Sequence, residues 1–249
     1  MFKNERYNNI MMILEERGFV TVKELGSLLY MSESSIRRDL ADLESRGAIK
    51  RRYGGAEAIG SSTSVIPIST RSYDNITKKQ EIARKAAALV SSGDIIFLDQ
   101  SSTSLFLARE LMDMKSITIV TSNIEILSLL SSSEMTVISS GGRMNKANRT
   151  CLVGSMAEKT FKSIYAKFAF FSAKSLSEDG TLSDCTEEET ALREAMFSSA
   201  EKKVFLCDSS KIGTHSAYKQ CTLNDVDILV TDAEIPEDMK KKFPKLTII

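Results

Sequence analysis

The sequence predicts an α/β protein in two parts. One is a small helical domain closed by a β-ribbon, and the other is a larger domain on a doubly wound, mostly parallel sheet. Three observations predict this. From Asp94 onward, short apolar runs alternate with helical stretches, as strands buried on both faces of a parallel sheet require. Before that, capped amphipathic helices follow one another and end on a basic, glycine-bounded segment. Between the two, Gly60-Ser61-Ser62-Thr63-Ser64 is small and polar, and Pro67 blocks a continuous helix. The expected boundaries are 1–57 for the small domain, 58–75 for the linker and 76–249 for the large domain.

The small domain reads as follows. Ile10, Ile13 and Leu14 give a first helix its apolar face, and Gly18 ends it. Thr21-Val22-Lys23-Glu24 has the form of a capping box, and Leu25, Leu28 and Leu29 are expected to face the core of a second helix. A short turn through Tyr30 and Met31 leads to Ser32, which with Ser34 and Ser35 supplies hydroxyls for the next helix start. Ile36, Leu40 and Leu43 form one buried stripe, so Arg37 and Arg38 project from another face. Lys50-Arg51-Arg52-Tyr53 is a basic tip bounded by Gly54 and Gly55. Helix, helix, turn, helix and basic ribbon make a winged helix-turn-helix, and paired arginines near a helix start suit a reader of the major groove. Two adjacent arginines on a helix are ordinarily a solvated face; the capped helix-turn-helix around these two sets them apart. From Arg37 to Arg52 the net charge is +3 in a chain whose total is zero, so the positive field is concentrated where a phosphate backbone would lie.

Composition narrows the classes. No stretch approaches the roughly 20 apolar residues of a membrane span, and the N-terminus carries no signal-peptide pattern. Cys151, Cys185, Cys207 and Cys221 are scattered without a C-x-x-C pair and read as reduced thiols of a cytoplasmic protein. His215 is the only histidine, which argues against a histidine-rich metal site or a histidine triad. No metal, cofactor or catalytic residue is expected.

In the large domain, Thr77 is expected to cap a helix through Val90, with Ile82, Ala86, Leu89 and Val90 inward. Strands are expected at Ile95–Leu98, Ile117–Val120, Met135–Ile138, Phe168–Phe171, Val204–Leu206 and Ile228–Val230, with helices over Ser104–Met112 and up to Leu130. Ligands of such sheets gather at the carboxyl ends of strands, near a switch point. Three loops there are rich in donors: Asp99-Gln100-Ser101-Ser102-Thr103, Thr121-Ser122-Asn123 and Ser139-Ser140-Gly141-Gly142-Arg143. One serine-rich turn is ordinarily just a helix cap. Three at successive strand ends point to an anionic ligand.

Several of these motifs together resemble a known family. Arg6, Ser32, Ile36-Arg37-Arg38-Asp39-Leu40, Leu43-Glu44, Gly47, Arg51 and Gly54-Gly55-Ala56 follow the pattern of the DNA-binding domain of DeoR-type bacterial transcriptional regulators, with Ser35 for the usual threonine and Tyr53 for the usual histidine. The remainder resembles the DeoR-type sensor domain, similar in fold to ribose-5-phosphate isomerase. The matching residues are Asp99, Ser102-Thr103, Val120-Thr121, Asn123, Gly141-Gly142, Val153-Gly154, Glu189, Asp208-Ser209-Ser210-Lys211 and Thr231-Asp232, with Ser101 where glycine is frequent. The resemblance implies a sequence-specific DNA-binding regulator, a repressor of a carbohydrate operon relieved by a phosphorylated sugar.

The implied DNA contacts are Thr21, Ser32, Ser34, Ser35, Arg37, Arg38, Lys50, Arg51, Arg52 and Tyr53. The implied effector contacts are Asp99, Ser101, Ser102, Thr103, Thr121, Ser122, Asn123, Gly141, Gly142, Arg143, Glu189 and Lys211. Glu189 and Lys211 have the chemistry of a general base and an electrophilic stabiliser, so an isomerase-like enzyme with a DNA-binding appendage is the alternative. The resemblance favours binding over turnover, and Arg193, one turn after Glu189, is a candidate ion-pair partner for it. Since one small winged domain buries little DNA surface, at least two copies are expected to act together, as a homodimer or homotetramer held by the sensor domain.

Overall fold

A computed structural model describes residues 3–17, 19–58, 71 and 74–249. Gly18 and the predicted linker segment around Val65 to Ile68, with Pro67, lie outside the described residues. The chain divides into two compact units, Met1–Asp74 and Asn75–Ile249.

The first unit runs α1 (Lys3–Arg17), β1 (Phe19–Thr21), α2 (Val22–Leu28), α3 (Glu33–Ser45), β2 (Ile49–Arg52) and β3 (Gly55–Ala58). Its core is Ile10, Leu14, Leu25, Ile36, Leu40 and Leu43, all essentially without solvent exposure. The capping box at Thr21 and Glu24 forms, and Ser32 caps α3 by accepting from the Ser35 backbone N–H. Leu28 departs from expectation, at 41 % exposure. Val22 is buried instead, so the apolar stripe runs through Val22, Leu25 and Leu29 and leaves Leu28 on the flank. The three strands pair antiparallel in the order β1-β3-β2. Arg52 faces Gly55 across a two-residue turn in which Gly54 takes φ 80°. Gly55 has a different reason: a Cβ there would lie 2.3 Å from the Val20 carbonyl oxygen, so β1 can approach only a glycine.

The second unit begins with α4 (Ile76–Ala87), β4 (Ile95–Leu98), α5 (Ser102–Glu110), β5 (Thr118–Thr121), α6 (Ile124–Leu130), β6 (Thr136–Ser139), β7 (Arg143–Met144), β8 (Leu152–Val153) and α7 (Ser155–Lys162). It continues through β9 (Ala166–Phe171), β10 (Ser175–Leu176), β11 (Thr181–Asp184), α8 (Glu187–Phe197), β12 (Ala200–Cys207), β13 (Tyr218–Thr222), β14 (Ile228–Thr231), α9 (Glu237–Lys242) and β15 (Thr247–Ile248). Seven strands form one sheet in the order β15-β14-β12-β9-β4-β5-β6, every pairing parallel. The chain builds outward from β4 through β5 to β6, then returns to lay β9 on the other side of β4. The switch point therefore lies between β4 and β9, where ligand sites of open α/β sheets form.

Both faces are covered, which explains the continuous apolar strands. Ile96, Leu98, Ile119 and Phe170 pack with residues of α4, α5 and α6. Phe97, Val120 and Ala169 point the other way, toward Phe161 of α7 and Leu192 and Met196 of α8. Phe97 and Phe161 meet edge to face, with centroids 5.1 Å apart. A small antiparallel sheet, β10-β11-β13, lies beside this framework. Thr77 does not cap α4. Asn75 holds the N-cap position in a left-handed conformation, φ 52°, and its side chain makes no cap. Its amide instead donates to Ser210 Oγ at 3.1 Å, so a tertiary contact decides where this helix begins.

Candidate functional site

On the first unit, the helix α3 is held from behind and open in front. Arg6 grips the buried Asp39 with two bonds, Nε to Oδ2 at 2.8 Å and Nη2 to Oδ1 at 3.0 Å. Tyr7 and Arg46 both reach Asp42, and the Arg46 guanidinium lies 5.3 Å from the Tyr7 ring centroid. Burial of Asp39 and its pairing with Arg6 give that aspartate a structural part that spacing alone did not assign. Glu44 accepts from the Arg51 backbone N–H at 3.0 Å, which fastens the ribbon to the same helix.

The outward groups differ in how free they are. Arg37 is paired with Glu33 at 3.1 Å, Arg51 with Glu44 at 3.6 Å and Arg52 with Glu57 at 2.8 Å, all at partly exposed positions. Arg38 and Lys50 are exposed and have no such partner among the described residues. At about 100° per residue, Arg38 lies roughly opposite the buried stripe, and Arg37 lies on its flank. Tyr53 stands fully exposed at the ribbon tip. Among the hydroxyls, Thr21 Oγ1 is committed to Glu24, and Ser32 Oγ to Ser34, Ser35 and the cap. Ser34 is exposed and Ser35 half-buried.

On the second unit, the strand ends at the switch point carry one connected polar network. Asp99 Oδ1 accepts from the Ser101 N–H and the Ser104 hydroxyl, and Oδ2 accepts from the Ser172 N–H and Arg193 Nε. Both of its oxygens are therefore filled by the protein, and it organises the loop. Ser101 is the N-cap of α5, accepting from Ser104 N–H at 3.1 Å. Arg193, fully buried, also lies 2.8 Å from Asp184 and 3.8 Å from Glu189. Burial works to lower its pKa, but Asp184, Asp99 and Glu189 outweigh it and raise the pKa above the usual value. Glu189 Oε2 accepts from Gln100 Nε2 at 3.0 Å, and Oε1 from Asn148 Nδ2 at 2.9 Å. Lys211 donates to the Ser172 hydroxyl and lies 3.7 Å from Asp208. Burial favours a neutral Asp208, yet Lys211, Ser210 and Lys79 prevail and keep its pKa low.

The second loop follows β5, the strand beside β4, and is shaped by bonds of its own. Asn123 caps α6, its Oδ1 accepting from Glu125 N–H at 2.9 Å and Ile126 N–H at 3.4 Å. Thr121 Oγ1 accepts from the Asn123 N–H, and the Ser122 carbonyl from Leu152 N–H. Gly142 lets the third loop pass: a Cβ there would lie 2.6 Å from the Val153 carbonyl oxygen, and its φ is 101°. Gly141, also at positive φ, shares that turn. Arg143 is not drawn inward. It is exposed and pairs with Glu188, which also accepts from Asn145. The structure thus brings Asp99, Ser101, Glu189 and Lys211 into one hydrogen-bonded cluster and leaves Arg143 at its rim.

Four buried side-chain atoms of these loops have no hydrogen-bond partner among the described residues: Gln100 Oε1, Thr103 Oγ1, Ser122 Oγ and Asn123 Nδ2. Their residues have no solvent exposure. Buried polar groups are nearly always paired, because each unpaired one costs about 1–3 kcal/mol. Gln100, Asn148 and Arg193 are members of the cluster that the motif reading did not single out as ligand contacts. Gln100 and Asn148 reach Glu189 across 89 and 41 positions, which no local spacing could have exposed, whereas Arg193 lies 3.8 Å from Glu189 at the i,i+4 spacing that made it a candidate ion-pair partner. Among the described residues no His, Cys, Asp and Glu group suited to a metal ion is found, and no helix is long and apolar enough to cross a membrane.

Comparison with known proteins agrees in both units. Residues 6–62 match the family model of the DeoR-like helix-turn-helix domain, and residues 74–233 that of the DeoR C-terminal sensor domain. The HTH-type transcriptional regulator GolR of Listeria innocua is 35 % identical over 98 % of this chain and 96 % of its own length. The HTH-type transcriptional repressor GlcR of Bacillus subtilis is 31 % identical over 93 % of this chain and 89 % of its own. The L-fucose operon activator of Haemophilus influenzae is 28 % identical over 96 % of this chain and 95 % of its own. Among solved structures, ribose 5-phosphate isomerase A of Methanocaldococcus jannaschii aligns over 56 % of this chain and 55 % of its own, with 19 % identity and a TM-score of 0.43.

Proposed function

The chain belongs to the DeoR family of DNA-binding transcriptional regulators, and we propose that it is a repressor of a carbohydrate operon that a phosphorylated sugar releases from DNA. The observation that carries the effector half is the set of unpaired, fully buried polar atoms in the loops after β4 and β5, led by Thr103 Oγ1 and Asn123 Nδ2. A hydroxyl and an amide donor suit phosphate oxygens, and Lys211, half-buried nearby on the β12 side, supplies a cation. The strand ends from β5 to β12 span three inter-strand spacings, roughly 14 Å, which suits an extended sugar phosphate.

Arg38 reads base edges from the centre of the outward face of α3, while Arg37 and the ribbon cations Lys50, Arg51 and Arg52 hold phosphates, with Tyr53 at the tip. Thr21, Ser32, Ser34 and Ser35 add contacts at the two helix starts. Asp99 and Ser101 shape the effector loop from within; Ser102, Thr103, Thr121, Ser122, Asn123, Gly141, Gly142 and Arg143 surround the anion, and Glu189 and Lys211 face the sugar. Glu189 already accepts an amide hydrogen bond at each oxygen, which suits recognition better than proton abstraction and supports a binding protein rather than an enzyme. The protein acts in the cytoplasm as a homodimer or homotetramer, two winged domains engaging repeated half-sites.

The ligand can release DNA only insofar as it binds the DNA-free form better than the DNA-bound form. The test is fluorescence anisotropy with a duplex selected from a random pool by the full chain, at two salt concentrations, with and without sugar phosphates. Selective binding that weakens with salt and is lost on adding one sugar phosphate is expected. Absence of any selected sequence, or indifference to every sugar phosphate, refutes the proposal.

A further inference from the structure

The unpaired atoms in the loops after β4 and β5 have different polarities, and the bonds around them fix which is which. Glu189 can only accept when ionised, so the Gln100 amide must turn its Nε2 to Glu189 Oε2, at 3.0 Å. That leaves Gln100 Oε1, an acceptor, buried and unpaired. Asn123 Oδ1 must accept from the backbone N–H groups of Glu125 and Ile126, which leaves Asn123 Nδ2, a donor. Thr103 Oγ1 and Ser122 Oγ can do either. The cluster therefore lacks at least one acceptor and one donor. A phosphate ion without bound protons supplies acceptors only. A molecule carrying both a phosphate and hydroxyl groups supplies both.

We propose that Gln100 is a specificity-determining residue of the effector site: its Oε1 accepts a hydrogen bond from one sugar hydroxyl and so selects a polyhydroxylated phosphate over its deoxy counterpart. This rests on the sugar-phosphate reading above and deepens it. Gln100 cannot turn away to avoid an unsuitable ligand. Reversing its amide would set Oε1 against the Glu189 carboxylate, and Glu189 is itself held by Asn148 at 2.9 Å and lies 3.8 Å from the buried Arg193. A ligand lacking the hydroxyl leaves the acceptor dry and unpaired, the arrangement by which binding sites discriminate most strongly. A hydroxylated ligand relieves it.

The experiment is calorimetric titration of the full chain with ribose 5-phosphate, glucose 6-phosphate, fructose 6-phosphate and inorganic phosphate. Each sugar phosphate that binds is then compared with its monodeoxy analogues. The parent is expected to lose at least about tenfold in affinity for one deoxy analogue. Gln100→Met, which keeps the side chain's length and apolar packing, is expected to bring the pair within about threefold. Thr103→Val is expected to weaken both members of the pair while keeping the preference between them. If a sugar phosphate binds but the parent treats every deoxy analogue alike, or Gln100→Met keeps the preference, Gln100 is served by water and the inference is wrong while the sugar-phosphate reading stands. If no sugar phosphate binds the parent, both fall together. The deoxy series on the parent decides the matter even should Gln100→Met fail to fold.

Discussion

In the helix-turn-helix unit the groups proposed to contact DNA stand in solvent: Arg38 and Lys50 are exposed without a partner among the described residues, and Tyr53 is bare at the ribbon tip. In the sensor unit the corresponding groups are buried and bonded to one another, with Asp99, Glu189 and Arg193 almost wholly enclosed. The ligands explain the contrast. A DNA duplex is a large, rigid polyanion that arrives from outside, so long cations on a firm base are enough, and that base is the Arg6–Asp39 and Tyr7–Asp42 pairing behind α3. A small effector must be enclosed to be told from its relatives, so its site has to be built into the core. One unit can therefore lose function without losing stability. In the other the two are entangled.

The largest expected effect comes from Arg193→Met. It leaves Asp99, Asp184 and Glu189 buried without their guanidinium, and breaking such a cluster from one side costs about 3–5 kcal/mol. The loss should appear in the sensor unit alone, and the cysteines allow it to be seen there. All four lie in that unit; burial pushes the Cys207 and Cys221 thiols up to about 12 and raises Cys151 well above its ordinary value. At pH 8 a thiolate-seeking disulfide reagent should react slowly with the native chain and rapidly once the unit unfolds, where thiols return to roughly 8.5. Arg193→Met should lower the urea concentration at which the thiols react. An unchanged midpoint contradicts the buried network as the source of rigidity.

Arg38→Ala should cost about 1–3 kcal/mol of binding to a selected operator and relax its sequence preference, while leaving unfolding within about 0.5 kcal/mol of the parent. Operator titration beside urea denaturation checks both halves. A stability loss comparable to the binding loss would erase the contrast between the units. Ser32→Ala removes the α3 cap and should cost about 1 kcal/mol in the first unit, read by circular dichroism on urea unfolding, with native thiol reactivity unchanged. The smallest effect belongs to the Arg37–Glu33 pair, which is 64 % and 52 % exposed. Glu33→Gln should change stability by less than about 0.5 kcal/mol.

How far the sequence disclosed each unit follows from the same contrast. Helix α3 is legible because its signals are local: a cap, a stripe at helical spacing and arginines off that stripe. The order of strands and helices was legible for the same reason, since runs such as Ile95–Leu98 and Ile228–Thr231 are buried on both faces. Leu28 and Thr77 depart from expectation for different reasons: the helical stripe through Val22, Leu25 and Leu29 leaves Leu28 on its flank, and Asn75 is drawn to Ser210 by a tertiary contact. The loops after the strands could be found from position and composition, but the roles within them could not. Asp99 looks like a ligand contact in sequence. In the structure it is filled by Ser101, Ser104, Ser172 and Arg193. Gln100, unremarkable between two motif residues, holds Glu189 across 89 positions.

Under the proposed function one unit reads DNA, the other reads a sugar phosphate, and the two are coupled. The most direct test sets Arg38→Ala and Thr103→Val side by side in the full chain. Each is titrated with a selected operator, with and without the effective sugar phosphate, and with that ligand alone by calorimetry. Arg38→Ala should bind operator about 5- to 150-fold more weakly and bind the ligand as the parent does. Thr103→Val should bind operator as the parent does, bind the ligand weakly, and stay on DNA at ligand concentrations that release the parent. If Thr103→Val responds to the ligand like the parent, or if Arg38→Ala binds operator undiminished, the division of labour described here is wrong.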